Sequence, residues 1–132
     1  MKNISKIEPL DKPRPVMVVD VGGIIFYARI EDNPSAAALI ERLTSEILTV
    51  ELHDDGHAAK VGVLPWELPR GGEDGQAHTG DVLLLDGNRI AVCYGEANGS
   101  FVAKIGDSAK ERLLDALGAD NVTVSFWLEW GE

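Results

Sequence analysis

One cysteine, Cys93, stands among the 132 residues of the sequence. No disulfide can form within the chain, so a cross-linked scaffold is excluded and the fold must rest on its core. A chain of this length makes one domain and buries roughly two-thirds of its unfolded surface, enough for a core without metal or cross-links. Positive charge is also scarce: 12 Lys and Arg stand against 22 Asp and Glu, a formal net charge of −10. Phosphate backbones and anionic lipids repel such a chain, so neither nucleic acid nor membrane is expected as a partner. No apolar run is long enough to cross a bilayer. Residues 1–14 carry Lys2, Lys6, Glu8, Asp11, Lys12 and Pro13, with no apolar stretch of the kind a signal peptide needs. They read as a flexible tail ahead of a single domain over 15–132, and the expected location is cytoplasmic. A phosphate loop is missing as well, because neither Gly22-Gly23 nor Gly71-Gly72 has the Lys and Ser/Thr spacing or the following helix.

What is present is a series of short apolar runs separated by turn residues. Residues 16–21 are rich in β-branched side chains, Gly22-Gly23 is a two-residue hairpin signal, and 24–30 reads as the returning strand. Asp32-Asn33-Pro34-Ser35 places a capping side chain ahead of a proline. It opens a helix with Leu39, Ile40 and Leu43 on one face that ends near Thr44. Strands follow over 47–52 and 58–62, joined through Asp54-Asp55-Gly56. Residues 63–69 form an extended, proline-rich connection, and 70–79 a polar Gly-rich loop. Strands over 82–85, 89–94 and 101–105 come next, with 95–100 as a loop. A helix capped by Ser108 runs through Leu117 to a stop at Gly118, and 122–128 is the closing strand. Helices that do not alternate one for one with strands argue against a parallel βαβ sheet. The expected fold class is mainly β: a closed eight-stranded antiparallel barrel with two capping α-helices, which hides strand edges and helix faces together.

Several short motifs resemble a small family of prokaryotic cyclophilin-like domains, over roughly residues 16–126. They are Asp32-Asn33-Pro34-Ser35-Ala36, Lys60-Val61-Gly62, Gly80-Asp81-Val82, Ile90-Ala91-Val92-Cys93-Tyr94-Gly95 and Val122-Thr123-Val124-Ser125-Phe126. The resemblance implies an eight-stranded cyclophilin-like barrel and no assigned activity. Prolyl isomerases of the cyclophilin kind use a catalytic Arg within a Phe-His-Arg strand, beside aromatics that line a proline pocket. No Phe-His-Arg stretch occurs, and Arg29, Arg42, Arg70, Arg89 and Arg112 stand in other contexts. No catalytic residue is carried over. The expected function is a non-catalytic small-ligand or peptide binding module without a cofactor. A weak peptidyl-prolyl cis-trans isomerase and a metal-dependent small enzyme are the alternatives.

His53-Asp54-Asp55-Gly56-His57 is the most metal-like stretch, since a tight turn would set two imidazoles across from each other beside an Asp. The same residues are turn-formers and His78 is remote, so no metal site is assigned. Cys93 lies in an apolar run with no His nearby and reads as a small buried hydrophobe, not a nucleophile. The expected ligand-binding residues are Trp66, Arg70, Tyr94 and Lys60. Trp66 and Tyr94 end extended segments, where a ring can face outward to stack. Arg70 and Lys60 are rare cations in an acidic chain, suited to a carboxylate or phosphate. The 71–79 loop would cover the mouth between them. Plainer readings exist for each: Trp66 as a lid on the core, Tyr94 packed with a satisfied hydroxyl, Lys60 paired with Glu51 across a hairpin. Trp127 and Trp130 mark a candidate self-association surface for a homo-oligomer.

Overall fold

Gly22 and Gly23 sit at φ 59° and 99°, a turn that glycine adopts without strain and whose twist matches that of a hairpin. They join β1 (Pro15–Val21) to β2 (Ile24–Ile30). The computed structural model describes residues 15–68, 74–118 and 120–130; the expected tail over 1–14 and Arg70 lie outside them. The order continues with α1 (Pro34–Leu43), β3 (Leu48–Asp54), β4 (Ala59–Val63), β5 (Asp74–Ala77), β6 (Asp81–Asp86), β7 (Arg89–Cys93) and β8 (Ala97–Ile105). A 3-10 turn (Asp107–Ala109), α2 (Lys110–Leu117) and β9 (Val122–Trp130) complete it. Every pairing among these strands is antiparallel. The strand order is β2-β1-β9-β3-β4-β7-β6-β8, and a further pairing of β8 with β2 closes a ring of eight. β9 is inserted between β1 and β3.

Alternation along the strands fills the ring. Met17, Val19 and Val21 of β1, Phe26 and Ala28 of β2, and Val124 and Phe126 of β9 share one core with Leu48, Val50 and Leu52 of β3. Val19 is paired with Phe26 on one side and Phe126 on the other, and all three are fully buried. β4 approaches β3 through Gly62: a Cβ there would lie 2.7 Å from Leu52 Cδ2 and 2.9 Å from the Glu51 carbonyl oxygen, so a larger residue would force the strands apart.

Each helix lies at one end of the ring. α1 links the end of β2 to the start of β3, and α2 links the end of β8 to the start of β9; because the strands run antiparallel, these are opposite ends. Asn33 caps α1, its Oδ1 accepting the Ala36 N–H at 2.9 Å while its Nδ2 donates to the Phe101 carbonyl at 2.8 Å. One side chain thus starts the helix and ties it to β8. α2 begins differently from the expectation. Ser108 lies in the 3-10 turn, and Ala109 holds the N-cap with no side-chain hydrogen bond. Gly118 ends the helix at φ 65°, as expected.

The second departure is β5. Residues 74–77 and 97–100, expected as loops, pair from Asp74↔Ser100 to Ala77↔Ala97, which adds a ninth strand beside the ring. No apolar alternation announces this pair. It rests on close backbone approach, with Gly75 opposite Gly99. A Cβ on Gly75 would lie 2.7 Å from the Phe101 ring, and one on Gly99 3.1 Å from Leu83 and Leu85. The ring of Phe101 covers the glycine from which a side chain is missing. On the outer face Ala77 packs with Ala59, Leu83, Ala91 and Cys93 in a small second cluster, and Ala97 joins them.

Candidate functional site

The structure does not bring Trp66, Tyr94 and Lys60, the three expected ligand residues that it describes, together. Leu64 N–H donates to the Asn88 carbonyl at 2.7 Å, and Tyr94 N–H donates to the Ala58 carbonyl at 2.8 Å. Trp66 therefore follows the α1 end of β4, and Tyr94 sits beside its α2 end. The five residues of β4 lie between them, about 16 Å of extended chain. Trp66 is half-buried against the main core, with the Arg42 guanidinium 5.3 Å from its ring. That arrangement is the lid reading.

Lys60 is fully buried and is not an exposed anchor. In β4 the outward residues Ala59 and Val61 join the outer cluster, so Lys60, between them, points into the ring. Its partner across the hairpin is Asp54, not Glu51. Its Nζ donates to the Leu117 carbonyl at 2.9 Å and to the Asp120 carbonyl. The Leu117 carbonyl lies at the C-terminal end of α2, where the peptide dipoles leave partial negative charge and unpaired acceptors, and Asp120 lies just beyond it. A buried ammonium held there fastens the helix to the strand; it offers no free charge to a ligand.

At the Tyr94 end the phenol donates to Asp54 Oδ1 at 2.5 Å. That bond, then burial and the charges of Asp54 and Asp55, push the phenol up to about 12. The same bond, with the Gly56 N–H, holds the Asp54 carboxyl below its ordinary value. Burial opposes ionisation of Asp55, but the N–H groups of Ala59, Ala58 and His57 outweigh it and lower its pKa. Cys93 is fully buried, and burial, with the charges of Asp81 and Asp55, pushes its thiol up to about 12. His53 pairs with Val61 across the hairpin, so His57, in the turn, does not face it. Among the described residues no three His, Cys, Asp or Glu side chains are grouped to hold a metal ion.

The signs of these shifts set a pH profile. The thiol and phenol keep their protons longer in the folded chain. Their stabilisation is complete below the unfolded values of 9.0 and 10.0 and is lost as pH climbs toward about 12. Asp54 and Asp55 act in the opposite sense, contributing fully above 3.8 and losing that contribution as pH falls through their lower folded values. The urea midpoint is therefore expected to be level at neutral pH and to decline above pH 9.0. Cys93 should resist thiol reagents until urea unfolds the chain. A midpoint that holds steady toward pH 12, or a thiol labelled at once in the native protein, contradicts this account.

A cleft forms where β1 and β2 part. Their ladder ends at Met17↔Ala28. Continuing it would set Ile30 against Pro15, which has no N–H to donate. Glu31 N–H donates to the Val102 carbonyl at 2.8 Å, so alternation turns the Ile30 carbonyl away from β8 and toward β1. β1 follows β9, with Pro15 opposite Trp130, while β2 follows β8, with Ile30 opposite Ala103. The opening has a volume of about 470 Å³, and Val16, Tyr27, Ala28, Arg29, Ile30 and, from α1, Ile40 line it. Tyr27 is 57% exposed. Arg29 has no ion-pair or hydrogen-bond partner among the described residues. Lys104 stands directly opposite Arg29 on β8, its ammonium 3.3 Å from Asp81. A smaller cleft of about 370 Å³ is lined by Tyr27, Arg29, Lys104 and Asp107. The sequence signal for this site was Arg29 alternating with apolar residues beside a strand that starts at proline.

A second cleft, about 570 Å³, lies on the outer face and is polar: Asp55, His57, Gln76, Glu96 and Asn98 border it. Its polar groups are in part occupied with one another, since Gln76 Nε2 donates to Glu96 at 3.0 Å.

No helix among the described residues is long and apolar enough to cross a membrane. No curated protein and no solved structure matches the chain. The model of the Cyclophilin-like family matches residues 19–127, from within β1 to within β9, and on that span the chain belongs to the Cyclophilin-like family.

Proposed function

We propose that this protein is a non-catalytic binding module that takes a small ligand or peptide in the cleft between β1 and β2. In this reading the eight-stranded ring is the closed barrel of a cyclophilin-like domain, and its parted strands form the mouth. The observation that carries the proposal is Arg29, without a partner among the described residues, on an otherwise apolar cleft in a chain of net charge −10. A volume of about 470 Å³ falls within the roughly 300–1,000 Å³ of small-molecule pockets, which are mostly apolar with a few polar groups that fix orientation. Tyr27 adds an exposed ring for stacking. The remaining described arginines are engaged elsewhere: Arg42 over Trp66, Arg89 with Asp86, and Arg112 over Phe26. None is set beside an open aromatic pocket as a prolyl isomerase requires.

A fragment screen read by amide chemical shifts tests this. Acidic fragments with one apolar ring are expected to shift the amides of 27–30 and Ile40. Arg29→Gln is expected to weaken them about tenfold, the effect of losing one charge-assisted hydrogen bond. Proline-peptide isomerisation is expected to stay at background. Hits confined to the outer polar cleft, or unchanged in Arg29→Gln, remove this site. Turnover well above background restores the isomerase alternative.

A further inference from the structure

We infer that the ligand is the C-terminal residue of a peptide chain, held by its free carboxylate, its last amide N–H and an apolar side chain. The inference rests on the cleft reading above and names the chemistry of its guest. Three groups face the opening, and each lacks something different. Arg29 has no anionic partner among the described residues. The Ile30 carbonyl lacks the donor that a continued β1 would have supplied, because Pro15 occupies that register position. The apolar wall made by exposed Val16 and half-buried Ile40 is left partly open by the described side chains.

A chain terminus supplies all three at the right spacing. Side chains alternate along β2, so Arg29 lies on the outer face and Ile30 packs toward the core. A guest strand laid beside β2 would set its last N–H on the Ile30 carbonyl. Its terminal carboxylate would then fall beside the Arg29 guanidinium, one position along, where a planar two-donor contact forms. Its last side chain would point inward toward Ile40. The preceding residue would lie opposite Glu31, toward the open end of the wedge. An acidic side chain within a longer segment would meet Arg29 as well, but the segment would have to continue past Met17↔Ala28, where β1 and β2 are already paired. Charge complementarity and the closed end of the wedge both favour a terminus. Backbone pairing with pockets for alternate side chains is a known mode of peptide capture.

The test uses the full chain and four probes: acetyl-Ala-Thr-Val-Leu as the free acid, its carboxamide, the acid with the last amide N-methylated, and N-acetyl-leucine. Amide shifts of 27–30 and Ile40 give the site, and titration gives the affinity. The carboxamide is expected to bind at least about tenfold more weakly than the acid, and the N-methyl acid about fivefold more weakly. In Arg29→Gln, an exposed substitution that spares the fold, acid and carboxamide should bind alike. Equal binding of acid and carboxamide by the natural chain overturns the inference while leaving the cleft reading intact, as do fragments that occupy the cleft when no peptide does. N-acetyl-leucine binding as tightly as the peptide overturns it in favour of an acylated amino acid. A dimer in sedimentation that Arg29→Gln dissolves, with no peptide bound, overturns it in favour of a second copy. If neither fragments nor peptides reach the cleft, both readings fall.

Discussion

Lys60→Met is expected to destabilise the folded chain by about 3–5 kcal/mol, since it removes two hydrogen bonds from a charged donor at about 1.5–3 kcal/mol each. Methionine nearly preserves the volume and apolar stem of lysine, so the effect isolates the ammonium. What remains is the Leu117 and Asp120 carbonyls with their donor gone, one of them at the end of a helix. Loss of the buried charge recovers some desolvation cost, but the carbonyls have no replacement donor. The thermal midpoint should fall by roughly 10–20 °C for a domain of this size. Hydrogen exchange locates the cause: the Gly118 N–H, which donates to the Leu114 carbonyl at 3.2 Å, should lose protection before the amides of β1 and β9 do. A stability change under about 1 kcal/mol would falsify the assignment of Lys60 as the tie between strand and helix.

Phe126→Ala is expected to cost about 3–5 kcal/mol, the usual range for emptying a buried aromatic site. Phe126 is fully exposed to the core and not to solvent, paired with Val19 on β1 and with Leu48 on β3. The ring therefore spans the strand that joins the first and third strands of the chain. Phe26→Ala should cost a similar amount, since Phe26 flanks Val19 from the other side. The two substitutions share Val19 as a neighbour, so the double variant should fall short of the sum by about 0.5 kcal/mol or more. Urea unfolding of the single and double variants reads all three values. Simple additivity would mean that the row Phe26–Val19–Phe126 does not act as one packed unit.

Both expectations rest on features of unequal visibility in the sequence. The alternation of Met17, Val19 and Val21, the Gly22-Gly23 turn and the Asn33-Pro34 helix start are local patterns, and each fixes structure within a few residues of itself. β5 and the first half of β8 have no such pattern. Their pairing depends on Gly75 and Gly99 coming face to face, with Phe101 filling the space, and a run of glycines and polar residues reads as a loop until its partner is known. Lys60 reads as an exposed cation in the sequence and is buried in the structure, for a related reason. Its carbonyl partners lie 57 and 60 residues away, and a lysine between apolar residues on a strand gives no sign of which face it occupies. Trp66 and Tyr94 look like neighbours only until the β4–β7 register puts them at opposite ends. Arg29 and Pro15 were visible throughout, but the meaning of Pro15 depends on Ile30 being the residue that would have needed its N–H.

The placement of β9 bears on how the chain folds as it is made. Val16 pairs with Glu129 and Leu48 with Phe126, so the first and third strands have no direct contact to form and must wait for a segment more than 100 residues downstream of β1. Contacts so distant in sequence slow folding, because the loop must close before any pairing energy offsets its entropy. Until residue 122 has left the ribosome, β1 and β3 each present a bare edge, open to pairing with another nascent chain. Closure is then a late, single event, and a chain stalled short of β9 is the form most exposed to aggregation and most in need of a chaperone.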